Sequence, residues 1–311
     1  MSISRSRFAP SPTGSLHLGN ASTFIANQLL ARHFNWDLVF RMEDLCGPRK
    51  KSGVINDTIS VMRWLGLEWS GNIKIQSEST EVIKTYFEKL VQQNAVYHCN
   101  LTRKEIDQSL TAPDSGEHPS ENIRPVNVMA HNEGVSIPDH NWRFLTTQDK
   151  LSFNDQIFGN CTCKPTQDFA IWTIEDAPSY QIAVVIDDYV DGITDVVRGS
   201  DLISSTAWQI QILKELELPL PQWWHLPLVC GPDGRKLGKR HGDTTIEYFK
   251  NKGVTIEAIY GLVGFWYGFV TERTRLTMDD LQSTFNTDSI PRKEIVCTEE
   301  DIAWLHDCSQ H

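Results

Sequence analysis

The sequence lacks the marks of membrane and secreted proteins. No apolar run approaches the ~20 residues that a membrane-spanning helix needs, and the N-terminus lacks the basic-then-apolar plan of a signal peptide. The seven cysteines are scattered and odd in number, which is typical of reduced thiols and not of a disulfide framework. We therefore expect a cytoplasmic protein with no membrane association.

A basic charge balance is also absent. The 311 residues carry a net charge of −11, which argues against a non-specific nucleic-acid binder. Basic residues cluster once, at Arg235, Lys236, Lys239 and Arg240. Two interpretations remain open. The protein is either an enzyme that binds nucleic acid through this local patch or an enzyme that acts on small molecules only.

Prolines and glycines interrupt the chain close to its start. The strand-like run from Ser2 to Phe8 is followed by a Pro/Gly-rich turn, and a helical pattern then covers residues 21–34. A strand, a tight turn and a helix N-terminus form the layout of a phosphate site, because free N–H groups and the helix dipole face an anion there. Gly14 and Gly19 lack a Cβ, so a ligand can approach the backbone closely.

Acidic residues follow the next predicted strand, which covers residues 37–42. Glu43 and Asp44 stand where that strand should end, and ligands of open α/β sheets bind at the carboxyl ends of strands. A surface turn or helix cap is an equally weighted interpretation of Asp44. The amphipathic stretches 58–65 and 82–92 predict helices.

The second half of the chain repeats the alternation of strands and helices. Residues 180–186 predict a strand that runs into Asp187 and Asp188, and residues 193–197 predict another. Thr206 and Gln209 have capping-box spacing, which predicts a helix start there. Residues 223–230 predict a strand that leads through a glycine turn into the basic patch, where a triphosphate could be held.

These patterns predict an α/β fold with a doubly wound parallel sheet, an insertion and a short helical C-terminal domain. The periodicity weakens between residues 97 and 165, where Pro, Asn, Asp and Gly punctuate the chain as in loops. We assign residues 1–96 and 166–245 to the two halves of a nucleotide-binding catalytic domain. Residues 97–165 are the insertion, and residues 246–311 are the helical domain.

Five motifs in order resemble the glutamyl branch of the class I aminoacyl-tRNA synthetases. Residues 10–20 resemble the first signature of that family, the HIGH motif, and residues 236–240 resemble the second, the KMSKS loop. Residues 41–44, 180–188 and 192–199 resemble glutamyl elements between them. The chain leaves no room for the large anticodon-binding part of a full glutamyl enzyme, which is typical of the truncated glutamyl-Q paralogues that act on tRNA(Asp).

The resemblance implies the substrates and the residues that bind them. ATP with Mg²⁺ would activate L-glutamate as an adenylate, and a tRNA would accept it, with the queuosine in the anticodon stem-loop of tRNA(Asp) as the implied acceptor. The implied catalytic residues are His17, Gly19 and Lys239, and the implied ATP contacts are His17, Gly19, Asn20, Lys236 and Lys239. The implied glutamate contacts are Arg7, Phe8, Ala9, Pro10, Ser11, Glu43, Tyr180 and Arg198.

Within that set, the resemblance gives each charged group a task. Arg7 or Arg198 would bind the side-chain carboxylate of glutamate, since a guanidinium pairs with a carboxylate bidentately, and Glu43 would take the ammonium group. The structural alternative for Arg198 is an ion pair with Asp195 or Asp201.

Two positions depart from the family pattern, and a third differs between full glutamyl enzymes and the glutamyl-Q type. The paralogues often begin their insertion with a zinc-binding Cys-x-Cys, but here Cys99 is followed by Leu101, so we predict that zinc and other metal sites are absent. Gly238 replaces the usual serine of the second signature. Val184 stands where full glutamyl enzymes tend to carry Asn, which favours the glutamyl-Q type.

Two other functions stay open at this point. One is a minimal glutamyl-tRNA synthetase that charges the tRNA 3′ end. The other is a non-catalytic binding or regulatory protein, which Gly238, the missing zinc pattern and the acidic balance favour. We expect a monomer in each case.

Overall fold

A computed structural model describes residues 3–12, 14–45, 53–99, 124–148, 150–164, 167–238 and 243–309. None of the helices in these ranges is long and apolar enough to cross a membrane. The strands, numbered along the chain, are β1 Arg5–Phe8, β2 Asp37–Met42, β3 Lys74–Ile75, β4 Val96–His98, β5 Trp142–Phe144, β6 Leu151–Asp155, β7 Gly159–Cys163, β8 Phe169–Trp172, β9 Asp195–Gly199, β10 Gln222–Leu226, β11 Val229–Cys230 and β12 Ile295–Val296.

The helices alternate with the strands in both halves of the chain. They are α1 Leu18–Phe34, α2 Val54–Trp64, α3 Thr80–Gln92, α4 Val128–Asn132, α5 Tyr180–Val190, α6 Ile203–Glu215, α7 Ile246–Asn251, α8 Ile256–Trp266, α9 Met278–Thr284 and α10 Glu299–Asp307.

The strands pair as a doubly wound α/β fold requires. In the first half β1, β2 and β3 pair in parallel, and in the second half β9, β10 and β6 do so, with β7 antiparallel at the edge. The two halves meet where β9 lies against β1, and the Thr194 amide donates to the Arg5 carbonyl over 2.9 Å. The predicted fold class is confirmed. Ligands of such sheets bind at this junction, beyond the carboxyl ends of the central strands.

Two hydrophobic cores hold the elements in place. One joins α1, β1 and β2 to the C-terminal helices, and it contains the fully buried rings of Phe8, Phe40 and Phe249. The other lies among α3, α5, α6 and β8, and the rings of Phe87 and Trp172 stack there with centroids 4.8 Å apart. Rigid packing on both sides of the β1/β9 junction holds the ends of those strands at fixed positions.

Two predictions in the second half are wrong. Residues 180–186 begin helix α5 and not a strand; the helix is buried on nearly every side, so its apolar residues form a continuous run that periodicity cannot separate from a buried strand. Thr206 does not cap a helix start, because α6 begins three residues earlier at Ile203. The Thr206 hydroxyl instead donates to the Leu202 carbonyl over 3.1 Å.

The region predicted as an insertion contributes to two sheets. Strands β4, β5 and β8 form a separate antiparallel sheet. Strand β6 pairs with β10 of the second half, with Asp155 opposite Trp223. The four segments assigned from the sequence stay a proposal, and the structure adds that residues 151–155 extend the catalytic sheet.

Candidate active site

A cavity of about 540 Å³ lies at the carboxyl ends of β1 and β9. Its walls come from the Pro/Gly-rich turn after β1, the start of α1, the end of β2, the start of α5 and the end of β9. The residues predicted from the sequence that line it are Arg7, Ala9, Pro10, Ser11, His17, Gly19, Asn20, Glu43, Tyr180, Arg198 and Lys236. Positions up to 229 residues apart in the sequence, Arg7 and Lys236, therefore meet at one site.

Two of the highlighted residues do not line this cavity, and the structure does not describe a third. The Phe8 side chain is fully buried in the core, where its ring packs edge-on against Phe24 and Phe40, and Phe8 is not among the residues that line the cavity. Lys239 lies outside the described residues. Val184 is 1% exposed and lines a second cavity between α5, β9 and α6.

His17 is the N-cap of helix α1, and this role fixes its tautomer. The Nδ1 atom accepts a hydrogen bond from the Gly19 amide at 3.2 Å, so the proton of the neutral ring is on Nε2. Burial, helped by the positive charge of Lys236, lowers the His17 pKa from 6.5 to about 4. At neutral pH His17 is thus an uncharged ring whose free N–H can donate to a phosphate oxygen.

Asn20 completes this cap. Its Oδ1 accepts from the His17 amide at 3.0 Å, which forms a reciprocal capping box. The amides of Leu18, Gly19 and Asn20 are all bonded within the protein, so the start of α1 offers an anion the positive end of the helix dipole and not the free N–H groups expected from the sequence. The role of Asn20 in ATP binding stays a prediction, and the structure gives it a role in holding His17.

Gly19 leaves room for the His17 ring. A Cβ at residue 19 would lie 3.1 Å from both Nδ1 and Cε1 of that ring. We expect Gly19→Ala to displace the ring and to lower the rate of phosphate chemistry about tenfold, although alanine favours a helix by about 1 kcal/mol over glycine. Steady-state kcat and the melting temperature of the variant and of the wild type test this expectation; an unchanged kcat would contradict it.

The first signature is tied to the segment that follows the second. The Leu18 amide donates to the Thr244 carbonyl over 3.0 Å, and the Ile246 amide donates to the Leu16 carbonyl over 2.8 Å. Lys236, the first residue of the second signature, is half exposed and forms an ion pair with Asp201 over 2.6 Å. The two signatures thus share one framework at the cavity mouth.

Arg198 is buried, but its positive charge is not neutralised by a carboxylate within the described part of the chain. Its Nε donates to His225 Nε2 over 3.1 Å, and its Nη2 donates to Thr206 Oγ1 over 2.7 Å. The two aspartates of the structural alternative bond elsewhere: Asp195 accepts from an indole N–H and Asp201 pairs with Lys236. Arg198 is therefore available to a carboxylate ligand.

Arg7 belongs instead to a buried ionic network. Its Nε pairs with Asp188 over 2.8 Å, and the same carboxylate oxygen accepts from Arg41 over 2.6 Å. Arg41 also reaches Glu43 over 3.1 Å and Asp191 over 3.1 Å. This network joins β1, β2 and α5, and it connects Arg7 to Glu43 through Asp188 and Arg41.

The network sets the charge of its members. Burial alone would lower the pKa of Arg41, but the carboxylates of Asp188, Glu43 and Asp187 together raise it. Burial raises the pKa of Glu43, and Arg41 and Arg7 oppose that shift. An ammonium group bound beside Glu43 would favour its ionised form further.

Sequence reasoning missed several members of this site. Arg41 and Asp188 lay inside quoted motifs, but nothing in the sequence shows that they meet. Asn27 holds the end of β1, since its amide donates to the Arg7 carbonyl over 3.0 Å; a polar residue on the buried face of an amphipathic helix is the signal that could have found it. The Asp44 Oδ1 accepts from the Ser77 amide over 2.8 Å, so Asp44 ties the end of β2 to the segment before α3, and any role of it in binding stays a prediction.

A metal centre was not expected, and the described ranges contain no group of three or more His, Cys, Asp or Glu side chains that could hold an ion. Cys99 is buried, while Leu101 lies outside those ranges. The absence of zinc therefore stays a prediction. Metal analysis of protein purified without chelators should find zinc well below one equivalent, and tightly bound stoichiometric zinc would contradict it.

Comparison with known proteins decides the family. The family model described as tRNA synthetases class I (E and Q), catalytic domain, matches residues 4–304. The chain belongs to this family. The cavity at the β1/β9 junction has the first signature on one wall and Lys236 of the second at its mouth.

Relatives in this family divide between two kinds. A glutamyl-Q tRNA(Asp) synthetase of Rhodopirellula baltica is 38% identical over 276 residues, which are 83% of each chain. A glutamate–tRNA ligase of Oleidesulfovibrio alaskensis is 32% identical over 308 residues, 96% of this chain. The match spans 65% of that ligase.

The fold agrees with a solved synthetase structure. The crystal structure of a glutamate tRNA ligase from Elizabethkingia meningosepticum in complex with its amino acid superposes with a TM-score of 0.81, covering 98% of this chain and 69% of that one. At 23% identity this similarity establishes the fold alone.

Proposed function

We propose that this protein activates L-glutamate with ATP and transfers it to the queuosine base in the anticodon stem-loop of tRNA(Asp). The observation that carries the choice of glutamate is Arg198, a buried guanidinium whose partners are neutral. It shares the cavity with an acidic residue, Glu43, and with the His17 N–H donor.

Arg198 is the better-placed of the two arginines for the side-chain carboxylate of glutamate. Arg7 already pairs with Asp188, so a substrate carboxylate would share it with a protein carboxylate. A carboxylate bound to Arg198 would instead neutralise a charge that the described protein atoms leave uncompensated, and such charge-assisted hydrogen bonds are strong. Tyr180 lines the same cavity, and its hydroxyl adds a group there that can donate or accept a hydrogen bond.

Glu43 is proposed to bind the substrate ammonium. Its amide donates to the Pro10 carbonyl over 3.0 Å, which fixes the end of β2 beside the first signature. The glutamate would thus lie between Glu43 and Arg198, with its α-carboxylate directed toward the helix α1 N-terminus.

The activation step would join that α-carboxylate to the α-phosphate of ATP. An oxygen of the carboxylate attacks phosphorus, the bond to the bridging oxygen breaks, and pyrophosphate leaves. The attacking group is the substrate itself, so no protein nucleophile is required. The His17 Nε2–H and the positive end of the helix α1 dipole would stabilise charge on the phosphate oxygens, and Mg²⁺ would accompany ATP, bound mainly by phosphate oxygens and water.

The queuosine acceptor is supported by the identity to a glutamyl-Q tRNA(Asp) synthetase and by Val184. The second candidate, charging of a tRNA 3′ end, is favoured by the match of 96% of the chain to a glutamate–tRNA ligase. An anticodon stem-loop of tRNA(Asp) separates them, because it has no 3′ acceptor end. Transfer of radiolabelled glutamate to the stem-loop with queuosine, and none to the same stem-loop with guanosine, is expected; charging of whole tRNA only would support the second candidate.

Gly238 offers a gain-of-function test of the second signature. Among the described residues, a Cβ there would come no closer than 3.9 Å, to the Lys236 carbonyl, which is ordinary van der Waals contact. Because a hydrogen bond to a charged group contributes about 1.5–3 kcal/mol, we expect Gly238→Ser to raise kcat/KM for ATP about tenfold to 100-fold. Gly238→Ala is the matched control, since it adds the Cβ without the hydroxyl. Equal effects of both variants would assign the change to loop stiffness.

A further inference from the structure

Behind Arg198 lies a buried pair of residues for which the proposed chemistry has no role. His225 on β10 is 0% exposed, and Asp155 at the end of β6 is 1% exposed. The His225 Nδ1 lies 2.7 Å from Asp155 Oδ2, and its Nε2 lies 3.1 Å from Arg198 Nε. A contact chain thus runs from a buried carboxylate through an imidazole to the guanidinium that faces the cavity.

The donors and acceptors in this chain determine the tautomer of His225. An arginine only donates, so Nε2 must be the unprotonated atom, and the proton is on Nδ1, which donates to Asp155. Burial lowers the pKa of His225, although the bond to Asp155 opposes that shift. The ring is therefore neutral and offers Arg198 a lone pair without offering it a negative charge.

Hydrogen bonds fix the Asp155 carboxylate in position beside His225. Its Oδ1 accepts from the amides of Ile157 and Phe158 over 3.0 and 2.8 Å. Its Oδ2 accepts from the His225 amide over 3.0 Å as well as from the ring. Four donors thus fix the carboxylate, and the His225 ring separates it from Arg198.

We propose that Asp155, His225 and Thr206 are positioning residues for substrate recognition: they orient the Arg198 guanidinium with neutral acceptors and so leave its charge for the γ-carboxylate of glutamate. A carboxylate in place of the imidazole would hold Arg198 as firmly but would compete with the substrate. This inference rests on the proposed function, because it assumes that the ligand of Arg198 is the glutamate side chain.

Two isosteric replacements of the imidazole separate orientation from packing. His225→Gln can place its amide oxygen near the Nε2 position, so it keeps the acceptor for Arg198. His225→Asn can place its amide nitrogen near the Nδ1 position, so it keeps the donor to Asp155 and loses that acceptor. Both remove the ring that packs beside Phe153, so both carry a similar packing loss.

The test measures glutamate-dependent ATP–pyrophosphate exchange in wild type and both variants. We expect the KM for glutamate to rise at least tenfold in His225→Asn and less than threefold in His225→Gln, with the KM for ATP unchanged in both. Equal rises in the two variants, or none in either, would overturn the inference. Absence of exchange in the wild type would instead count against the proposed function.

A further pair of variants serves if the buried histidine does not tolerate replacement. Thr206 Oγ1 accepts from Arg198 Nη2 over 2.7 Å, and Thr206→Val preserves the side-chain shape without the oxygen. We expect Thr206→Val to raise the KM for glutamate about threefold to tenfold and Thr206→Ser to restore it. The imidazole nitrogen resonances of wild-type His225 should also show protonation on Nδ1 at pH 7, and protonation on Nε2 would contradict the proposed geometry.

Discussion

Arg198→Lys should raise the KM for glutamate roughly 100-fold and leave the KM for ATP within about threefold of wild type. Lysine keeps the positive charge but cannot present two parallel N–H groups to a carboxylate while it also donates to His225 and Thr206. The lost charge-assisted hydrogen bond in a buried site is worth about 1.5–3 kcal/mol, which corresponds to that change in affinity.

Arg63→Lys provides the matched control for this prediction. Arg63 lies on the exposed side of helix α2, outside the residues that line the cavity. Steady-state exchange kinetics with glutamate and ATP varied separately measure the effect. A similar rise in both Michaelis constants of Arg198→Lys would indicate a general distortion of the site, and an unchanged KM for glutamate would remove Arg198 from its proposed role.

Asp188→Asn is expected to lower the free energy of unfolding by about 3–5 kcal/mol, because it leaves Arg7 and Arg41 buried with one shared carboxylate removed. Asp37→Asn is a close control. Asp37 pairs with Arg5 of the same strand β1 over 2.7 Å, and Asp188 pairs with Arg7 over 2.8 Å. The Arg5 side chain is 40% exposed and the Arg7 side chain 2%, so the first pair is screened by solvent and should contribute less than about 1 kcal/mol.

Urea unfolding curves of the three proteins, followed by tryptophan fluorescence, measure this difference. Asp188→Asn should also weaken glutamate binding, since Arg7 and Glu43 both depend on the network that Asp188 joins. Similar destabilisation by both substitutions would show that burial does not distinguish the two ion pairs.

The sequence predicted the elements that form continuous local patterns. Strand β2 was placed at its observed bounds, and Glu43 was placed at its end, because a buried apolar run followed by charge is a local signal. Helix α5 was misread because burial on nearly all sides removed the 3.6-residue period on which a helix prediction depends. Phe8 was included among the binding residues by its place in a motif, yet its side chain is in the core.

Most of the predicted site residues meet at one cavity, but the contacts that hold them there could not be read from the sequence. Arg198 depends on His225, 27 residues further along the chain, and His225 depends on Asp155, 70 residues before it. Such pairs form only when β6, β9 and β10 come together in the sheet. Motifs identify groups that meet a substrate, whereas the groups that orient them become visible only in the folded chain.

Glutamate-dependent ATP–pyrophosphate exchange without added tRNA tests the central claim most directly, with Lys239→Ala as the comparison. Full glutamyl enzymes are expected to need tRNA for this step, and the glutamyl-Q type is not. We predict that the wild type catalyses this exchange and that Lys239→Ala does not. Lys239 belongs to the second signature and lies outside the described residues. Exchange that appears only after unmodified tRNA(Glu) is added would favour 3′-end charging, and no exchange under either condition would contradict the proposed activation of glutamate.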